Sequence, residues 1–503
     1  MALKPDGRDL KVIAFHLGKV FTGLSAVMAL PAVVALVLQE WNAASALLIG
    51  AAIALTLGRA AEARLVTRAP LTWAQGTVVV ALAWLVGPML LAVPLLLSGH
   101  LGTWLDAWFE AMSGLTTSGL SLVQDLDHLP QSLALYRHLT HFAGGQGIVI
   151  VVLSLLAVGG GQIGTLYVAE GREERIVPSV IRTSRFIFRV AGTYLVIGTL
   201  ALGVALYAAG FRGWRVWWHA VNLFMAAFDT GGFAPMSSSI AYYHSATVEL
   251  VLVVLMFAGT ISFGLHYHLW RRDHQELVRN LEMRTIMVTL GALTLVVLAG
   301  LATAGTQTTS TGLVRKGFFT LFSAHSGTGF AATNGATYLS DWGVLAPAAI
   351  VTAMALGGMA GSTAGGIKAI RIGMTVKGAV QDVRRLLLPE SAVVVASYHA
   401  GGGRRILRDR TLRAATTLLL LYIATYLAGA GVGLLYGRWE VTETLFESVS
   451  AAANVGLSVG IVDPSMPVGL QVTYLLQMWL GRLEFSAAFA LLGYAGSLAF
   501  WRK

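Results

Sequence analysis

Four short glycine-centred segments recur along this chain, each about a hundred residues after the last. A large apolar residue follows the central glycine each time, and a small residue stands six positions before it. The segments are Thr116-Thr117-Ser118-Gly119-Leu120, Asp229-Thr230-Gly231-Gly232-Phe233, Ser326-Gly327-Thr328-Gly329-Phe330 and Ala453-Asn454-Val455-Gly456-Leu457. Such self-similarity indicates one structural unit used four times, with the four central glycines in equivalent positions.

The composition places these units in a membrane. Only 12% of the residues are charged and 56% are hydrophobic, whereas about a quarter of an average soluble domain is charged. Long apolar stretches follow one another, many of them near the roughly 20 residues that cross a bilayer as a helix. The stretch over residues 12–38 is too long for a signal peptide and predicts a transmembrane helix. The absence of cysteine excludes disulfides and thiolate metal sites.

The formal net charge of +10 reflects membrane topology rather than a nucleic-acid surface. Alternate loops are rich in arginine, and the loops between them hold far fewer basic residues. The first set includes Arg59, Arg64, Arg172, Arg175, Arg182, Arg185, Arg189, Arg271, Arg272, Arg279 and Arg284. By the positive-inside rule, both chain termini are expected in the cytoplasm, and no nucleic acid is expected as a partner.

The apolar stretches group into two N-terminal helices and four similar units. Each unit has a long helix, a short amphipathic helix, a glycine segment and a closing helix, so all four units face the same way. We therefore predict an all-α polytopic membrane protein with four parallel helix–pore loop–helix repeats around a pseudo-fourfold axis, preceded by two transmembrane helices. The predicted boundaries are 1–70 for the N-terminal helices and 71–165, 180–275, 280–378 and 405–503 for the repeats.

Each predicted repeat begins and ends with a long helix. Their predicted ranges are 71–97 and 133–159, 186–209 and 246–270, 285–304 and 341–374, and 411–436 and 467–500. A second column of glycines in the closing helices predicts bends or close packing there. These glycines are Gly145, Gly259, Gly358 and Gly481.

The glycine segments have the chemistry of a cation pathway. A cation crosses hydrocarbon only if its hydration shell is replaced, and backbone carbonyls do this without a fixed charge that would trap it. Carbonyls of successive residues point to one side only where some residues take backbone angles that favour glycine. Short helices such as Trp104–Leu115 would direct the negative ends of their dipoles at the same axis. The predicted selectivity filter comprises Thr117, Ser118, Gly119, Thr230, Gly231, Gly232, Gly327, Thr328, Gly329, Asn454, Val455 and Gly456.

A second constellation follows the third glycine segment. Five glycines lie within Gly357–Lys368, and each costs a helix about 1 kcal/mol relative to alanine. Backbone that is freed in a bilayer must be buried in protein or line a water-filled path. We expect an unwound loop against the pathway, with Arg482 beside it, because a guanidinium inside a membrane normally faces a cavity or a partner. The predicted gate comprises Gly357, Gly358, Gly361, Ser362, Thr363, Gly365, Gly366, Lys368 and Arg482.

Structural roles are the alternatives for the charged residues in these helices. Arg482 would then pair with Glu484, and Lys368 would lie at the cytoplasmic boundary. Glu110 and Glu447 both stand nine residues before a central glycine. They would stabilise the short helices rather than attract cations to the mouth.

Together these features resemble the TrkH/TrkG/KtrB/HKT superfamily of potassium transporters. The signatures that carry the resemblance are Gly357–Lys368, Gly481-Arg482-Leu483-Glu484 and Gly144-Gly145-Gln146-Gly147-Ile148. The resemblance covers the chain from residue 71 to its end. The two additional N-terminal helices are similar to those of the TrkH and TrkG branch.

The resemblance implies potassium uptake across the bacterial cytoplasmic (inner) membrane, through a filter of four single-glycine loops and past a gate in the third repeat. In related plant transporters a serine at the first filter glycine accompanies sodium transport, so Gly119 favours potassium. The resemblance also implies a homodimer in the lipid bilayer. It further implies a cytoplasmic regulatory subunit of the TrkA/KtrA type, and nucleotide would bind only to that subunit. The segment Asp382–Glu390 is an available surface for this subunit. Channel-like flux and ion-coupled symport both stay open.

Other functions fit parts of the sequence. A sodium-permeable or mixed Na⁺/K⁺ transporter of the same fold is compatible with the unlike middle residues of the four segments. An organic-solute secondary transporter also uses repeats, but these are commonly inverted. Gly456–Gly460 fits a nucleophile elbow at Ser458, and Gly159–Gly164 fits a dinucleotide fingerprint, yet neither has the strand context that its motif requires. We expect no enzyme, and His266 and His268 lack the further ligands of a metal site.

Overall fold

Long apolar helices with short helices between them build the fold, since a bilayer requires nearly every backbone polar group to bond within the protein. The computed structural model describes residues 7–67, 69, 71–147, 180–305, 309, 312–333, 335, 337–389 and 395–500. Within these residues, six helices are long and apolar enough to cross a membrane, or up to eight if each of two bent helix pairs is one span.

The first two helices form a hairpin that packs through glycines. They are α1 (Gly7–Val37) and α2 (Trp41–Arg64). A side chain on Gly18 would come within 2.9 Å of the Gly58 carbonyl oxygen, and one on Gly58 within 2.7 Å of the Gly18 oxygen. Small residues at such crossings let two helix backbones approach closely in a membrane.

The four repeats follow in chain order. Repeat 1 has α3 (Trp73–Leu97), α4 (Trp104–Leu115) and α5 (Gln131–Gly145). Repeat 2 has α6 (Val180–Ala208), α7 (Trp214–Phe228), α8 (Ala246–Thr260) and α9 (Phe263–Trp270), with a 3₁₀ turn at Ser239–Tyr243. A short helix, α10 (His274–Arg279), leads into repeat 3.

Repeat 3 has α11 (Leu281–Ala304), a π-helical turn (Leu313–Phe318) that continues into α12 (Phe319–His325), α13 (Thr337–Ser340), α14 (Leu345–Ala355) and α15 (Ala369–Leu387). Repeat 4 has α16 (Asp409–Leu435), α17 (Val441–Ala452), α18 (Val468–Leu483) and α19 (Ser486–Phe500). The helix predicted at Trp104–Leu115 has those bounds in the structure. Capping boxes at Thr72 and Thr103 explain where α3 and α4 begin.

The closing helices of repeats 2, 3 and 4 are broken close to Gly259, Gly358 and Gly481, the positions at which the second glycine column predicts bends or close packing. In repeat 2 the chain turns by 102° between α8 and α9, and in repeat 4 it turns by 110° between α18 and α19. The Ser262 hydroxyl caps α9, and Glu484 and Phe485 take left-handed backbone angles at the second break (φ of 49° and 67°). In repeat 3 the residues between α14 and α15 form no helix. Several predictions fall outside the described residues. These are residues 148–159 of the first closing helix, the end of repeat 1, and Arg172 and Arg175.

Most of the buried apolar side chains form three large clusters. The first joins α1 and α2 to repeat 1 and reaches α18 and α19, the second fills repeat 2, and the third lies between repeats 3 and 4. The last repeat therefore packs against the first, and Trp479 Nε1 donates to the Ala81 carbonyl at 3.1 Å.

A small β-hairpin between repeats 3 and 4 is the one departure from the all-α prediction among the described residues. Strands β1 (Ser397–Ala400) and β2 (Gly403–Ile406) pair antiparallel. Gly401 and Gly402 supply the positive φ angles of the turn, 60° and 75°. His399 Nε2 lies 2.7 Å from Glu276 Oε2, which ties the hairpin to α10.

Candidate functional site

The four short helices α4, α7, α12 and α17 end in the same way. In repeat 1, the Thr117 N–H donates to Gly114 O (3.2 Å) and the Ser118 N–H to Ser113 O (2.9 Å), a Schellman cap. The equivalent pairs of bonds occur in the other three repeats. The residue at the turn has a left-handed backbone each time: Thr117 (56°), Thr230 (50°), Gly327 (75°) and Asn454 (54°). A β-branched threonine is rare in this region, so the surrounding structure must hold it there.

Two residues further on, the four central glycines also have positive φ angles. These are Gly119 (81°), Gly232 (74°), Gly329 (80°) and Gly456 (95°). A side chain is strained in this region, which explains why glycine stands in this column. We call Thr117–Gly119, Thr230–Gly232, Gly327–Gly329 and Asn454–Gly456 the ring segments, and the four central glycines the key glycines.

The ring segments lie side by side in a closed order. The carbonyl oxygens nearest to a side chain placed on Gly119, Gly232, Gly329 or Gly456 belong to Gly231, Thr328, Val455 and Ser118, respectively. Each key glycine thus abuts the next segment, and the fourth abuts the first. All four key glycines also line one cavity of about 190 Å³. We call the side of the ring that faces this cavity the outer edge. The opposite side of the ring, formed by Thr117, Thr230, Gly327 and Asn454, is the inner edge.

The four segments are alike in backbone but not in side chain. Hydroxyl pairs support two of them, since Ser118 Oγ lies 2.8 Å from Thr116 Oγ1 and Thr328 Oγ1 lies 2.8 Å from Ser326 Oγ. In the fourth segment, Asn454 Nδ2 donates to Ser118 Oγ (2.7 Å), while Val455 packs in the third apolar cluster. The twelve predicted residues are therefore brought together in an asymmetric ring.

Two buried glutamates hold the chain that follows the ring. Glu110 accepts from Ser121 Oγ (2.9 Å) and Leu122 N (2.8 Å) and pairs with Arg137 at 2.6 Å. Glu447 accepts from the Ser458 hydroxyl and from the Ile461 backbone N–H. These contacts support the structural reading of both carboxylates. The Ser458 hydroxyl, which the nucleophile-elbow motif singled out, donates to Glu447.

At the inner edge, Arg482 joins three parts of the chain. Nη1 donates to Thr117 Oγ1 and to the Thr363 carbonyl, both at 3.0 Å. Nη2 donates to Gly144 O at 2.6 Å, and the guanidinium lies 5.1 Å from the Trp84 ring centroid. Arg482 therefore connects a ring segment, the segment after α14 and the end of α5.

The segment Gly357–Lys368 crosses the inner edge of the ring. Thr363 Oγ1 lies 2.9 Å from Gly259 O and accepts from Thr230 Oγ1 at 3.2 Å. The Gly365 backbone nitrogen lies 3.4 Å from the place of a side chain on Gly327. We call Gly357–Lys368 the inner segment; it is not helical and lies against at least two ring segments, as the glycine content predicts.

Charged side chains fix the ends of the inner segment. The Ala360 N–H donates to Glu282 Oε1 at 2.7 Å. Lys368 is 7% exposed, donates to the Ala364 carbonyl and lies 3.8 Å from Glu484. Arg371 also pairs with Glu484. Lys368 is therefore buried and bonded within the protein, whereas a snorkelling lysine would extend its ammonium group into water.

In three of the four repeats, a glycine of the closing helix packs against the end of the short helix. Gly144, Gly259 and Gly481 lie against the carbonyls of Leu115, Phe228 and Ala452, the last residue of the short helix in each repeat. In repeat 1 the glycine in this role is thus Gly144 and not the predicted Gly145, which lies against Asp229. Gly358 instead lies against Ala364, Thr260 and Ser362.

Residues 43–492 match the family described as "TrkH: Cation transport protein". The chain belongs to the TrkH family. Family membership confirms the resemblance in the sequence and the interpretation as a transporter rather than an enzyme. It also sets aside catalysis at the nucleophile-elbow motif of Ser458 and the organic-solute transporter.

Three relatives each match most of this chain. An uncharacterized cation transporter of Methanocaldococcus jannaschii is 29% identical over 80% of this chain and 79% of its own length. The Trk system potassium uptake protein TrkH of Halomonas elongata is 27% identical over 98% of this chain and 100% of its own length. The corresponding Escherichia coli protein is 28% identical over 85% and 86%.

A solved structure confirms the predicted helical, polytopic fold of this TrkH-family chain. The crystal structure of the potassium transporter TrkH from Vibrio parahaemolyticus superposes with a TM-score of 0.82, at 24% sequence identity. The match covers 96% of this chain and 98% of that one.

Sequence reasoning missed several polar partners of the site. Asp229 lies at the end of α7, and its Oδ1 accepts from Gln146 Nε2 at 2.6 Å. Glu282 anchors the inner segment from α11. An ionisable residue in an apolar stretch is itself a signal of function, but these partners come from distant parts of the chain that no local pattern connects.

A side chain on Gly329 would overlap the neighbouring ring segment. Gly329→Ala should therefore destabilise this protein by more than the strain of a left-handed backbone alone would. Gly437 is the matched control, because it has a φ of 63° and open space where a side chain would go. Strain costs about 1–2 kcal/mol at either position, and overlap with Val455 O adds about 1–3 kcal/mol at Gly329. Thermal unfolding in detergent should show the larger loss for Gly329→Ala. Equal losses would mean that the ring tolerates a methyl group.

Proposed function

We propose that this chain takes up potassium ions across the cytoplasmic (inner) membrane of a bacterium, with the four ring segments as its selectivity filter. The observation that carries the proposal is the closed order of the key glycines around one cavity. Relatives named as potassium uptake proteins support the choice of ion. Potassium is the cargo here, not a resident cofactor.

The chemistry of the ring suits a passing cation. Its segments contain serine, threonine, asparagine, valine and glycine but no charged residue, so oxygen dipoles replace the water of the ion without trapping it. The four short helices all end at the inner edge, where the negative ends of their dipoles favour a cation. A pseudo-fourfold axis through the ring is the natural path.

The orientation follows from the distribution of charge. The arginine-rich loop after the break in repeat 2 carries Arg271, Arg272 and Arg279, and α9 begins on the inner-segment side of the ring through the bond from Phe263 N to Gly361 O. The positive-inside rule then directs the inner edge and both chain termini to the cytoplasm.

The central test is transport in cells and in vesicles. A bacterial strain without its own potassium uptake systems, expressing this chain and its regulatory subunit, should grow at low potassium. Purified protein in lipid vesicles should pass potassium faster than sodium, with protein-free vesicles as the control. Correctly inserted protein that restores neither growth nor flux would refute the proposal. Equal fluxes would support the second candidate, a mixed Na⁺/K⁺ transporter, which the unlike middle residues of the ring favour.

We propose the inner segment, together with Arg482, as the gate. An ion that leaves the inner edge of the ring meets Thr363 and Gly365 before the cytoplasm, so passage requires the segment to move. Arg482 holds the segment to Thr117 and adds a positive charge to the pathway. Its guanidinium repels a cation at this depth more strongly than it would in water.

Arg482→Ala should therefore raise potassium flux, because both the link to the inner segment and the positive charge are lost. Arg212→Ala is the matched control, since Arg212 also donates to two carbonyls (Tyr207 and Phe211, at 2.7 and 2.8 Å) but lies at the exposed end of α6. Flux should be measured in vesicles at equal protein density. If both variants match the parent chain, the barrier lies elsewhere.

Regulation by a cytoplasmic nucleotide-binding subunit beneath a homodimer completes the proposal. The names of the relatives place them in a Trk system, and α15 ends with exposed Leu386 and Leu387 beside Arg384 and Arg385. Such a mixed apolar and basic surface suits a protein partner. Flux through the purified complex should change on addition of ATP, ADP or NADH, and the chain alone should not respond. A complex that responds to none of them would refute this coupling.

A further inference from the structure

The second ring segment lacks a side chain that the other three possess. The middle position is Ser118, Thr328 or Val455 in repeats 1, 3 and 4, and each of these side chains is buried. Ser118 and Thr328 bond to a neighbouring hydroxyl, and Val455 packs among apolar groups. In repeat 2 the same position is Gly231, which supplies nothing to hold the backbone from behind.

The backbone at Gly231 does not explain this glycine. Its φ angle lies outside the left-handed region, unlike that of its neighbour Gly232, which has a φ of 74°. A side chain at Gly231 would therefore not meet the strain of the left-handed region. Something other than backbone geometry must therefore exclude a side chain there.

The imidazole of His141 occupies the missing volume. His141 belongs to α5 of repeat 1 and is 0% exposed. Three atoms of its ring are the groups nearest to where a side chain on Gly231 would begin. The ring also stacks on Phe233, the residue after Gly232, with centroids 4.0 Å apart and planes 20° from parallel.

Two neighbours of His141 hold the same part of repeat 2. His138 Nε2 lies 3.1 Å from the Phe233 carbonyl oxygen, and the Arg137 guanidinium lies 4.0 Å from the Phe233 ring centroid. The face of α5 that carries Arg137, His138 and His141 thus supports the second ring segment from behind. Gly231 O in turn abuts Gly119 of the adjacent first segment, so a shift at Gly231 would reach that segment.

We propose that the His141 side chain replaces the absent middle side chain of the second ring segment and is a positioning residue for ion selection. It acts through Gly231, whose carbonyl it keeps in the ring. The proposal rests on the ring being the selectivity filter. Without the imidazole, the second segment has room to shift, and the oxygen cage becomes less uniform for potassium relative to sodium.

The test is a double-mutant cycle in lipid vesicles, with the potassium-to-sodium flux ratio as the readout. His141→Ala should lower the ratio about fivefold, equivalent to about 1 kcal/mol. Gly231→Ser alone should reduce flux and thermal stability, because its side chain collides with the imidazole. The combination His141→Ala with Gly231→Ser should restore the ratio to within about a factor of two of the parent, because the serine then fills the space as Ser118 does in repeat 1.

Two further variants keep the test decisive. His219→Ala removes another buried histidine, which holds α7 through Tyr243 (2.9 Å) away from the ring, and should leave the ratio unchanged. If His141→Ala does not fold, His141→Gln, which keeps most of the volume, should fold and keep a ratio near that of the parent.

The outcomes separate this inference from the proposed function. A parent chain without potassium flux would refute the proposed function itself. A parent that transports potassium, together with an unchanged ratio in His141→Ala, an additive double variant or a lowered ratio in His141→Gln, would overturn the role of His141 alone.

Discussion

The close approach of a backbone carbonyl to a glycine is the contact on which this structure depends. It occurs four times in a closed order, and at each position only a hydrogen atom fits where a side chain would stand. For the contacts to form together, four short helices must end at one level and reverse their backbone in the same way. The strained threonines at Thr117 and Thr230 show that this geometry overrides local preference.

The parts around the ring keep that backbone in place from both sides. Glu110 and Glu447 accept bonds from the chain beyond the outer edge, whereas Arg482 and Thr363 bond to residues at the inner edge. Buried polar groups of this kind are costly unless they are paired. Their pairing therefore explains why charged residues occur so deep in an apolar chain, and it ties any movement of the inner segment to the ring.

The features that the sequence predicts here are those set by local chemistry. Gly119 and its three equivalents were identifiable because positive φ angles favour glycine, and α4 because its apolar face is a local pattern. Gly259 and Gly481, close to the breaks after Thr260 and Leu483, predict a bend or close packing, but they do not predict turns of 102° and 110° or the pairing of Glu484 with Arg371. The roles of Asp229 and Glu282 depend on contacts between repeats, which no pattern within one segment reveals.

The contact between Gly456 and the carbonyl of Ser118 has a consequence for biogenesis. Because the ring closes through residues near opposite ends of the chain, it is incomplete until the ribosome has made the fourth repeat. A nascent chain with three repeats in the bilayer has polar backbone exposed where the fourth segment belongs. The first three repeats must therefore remain loosely packed, or be shielded by the insertion machinery, until the fourth repeat is inserted.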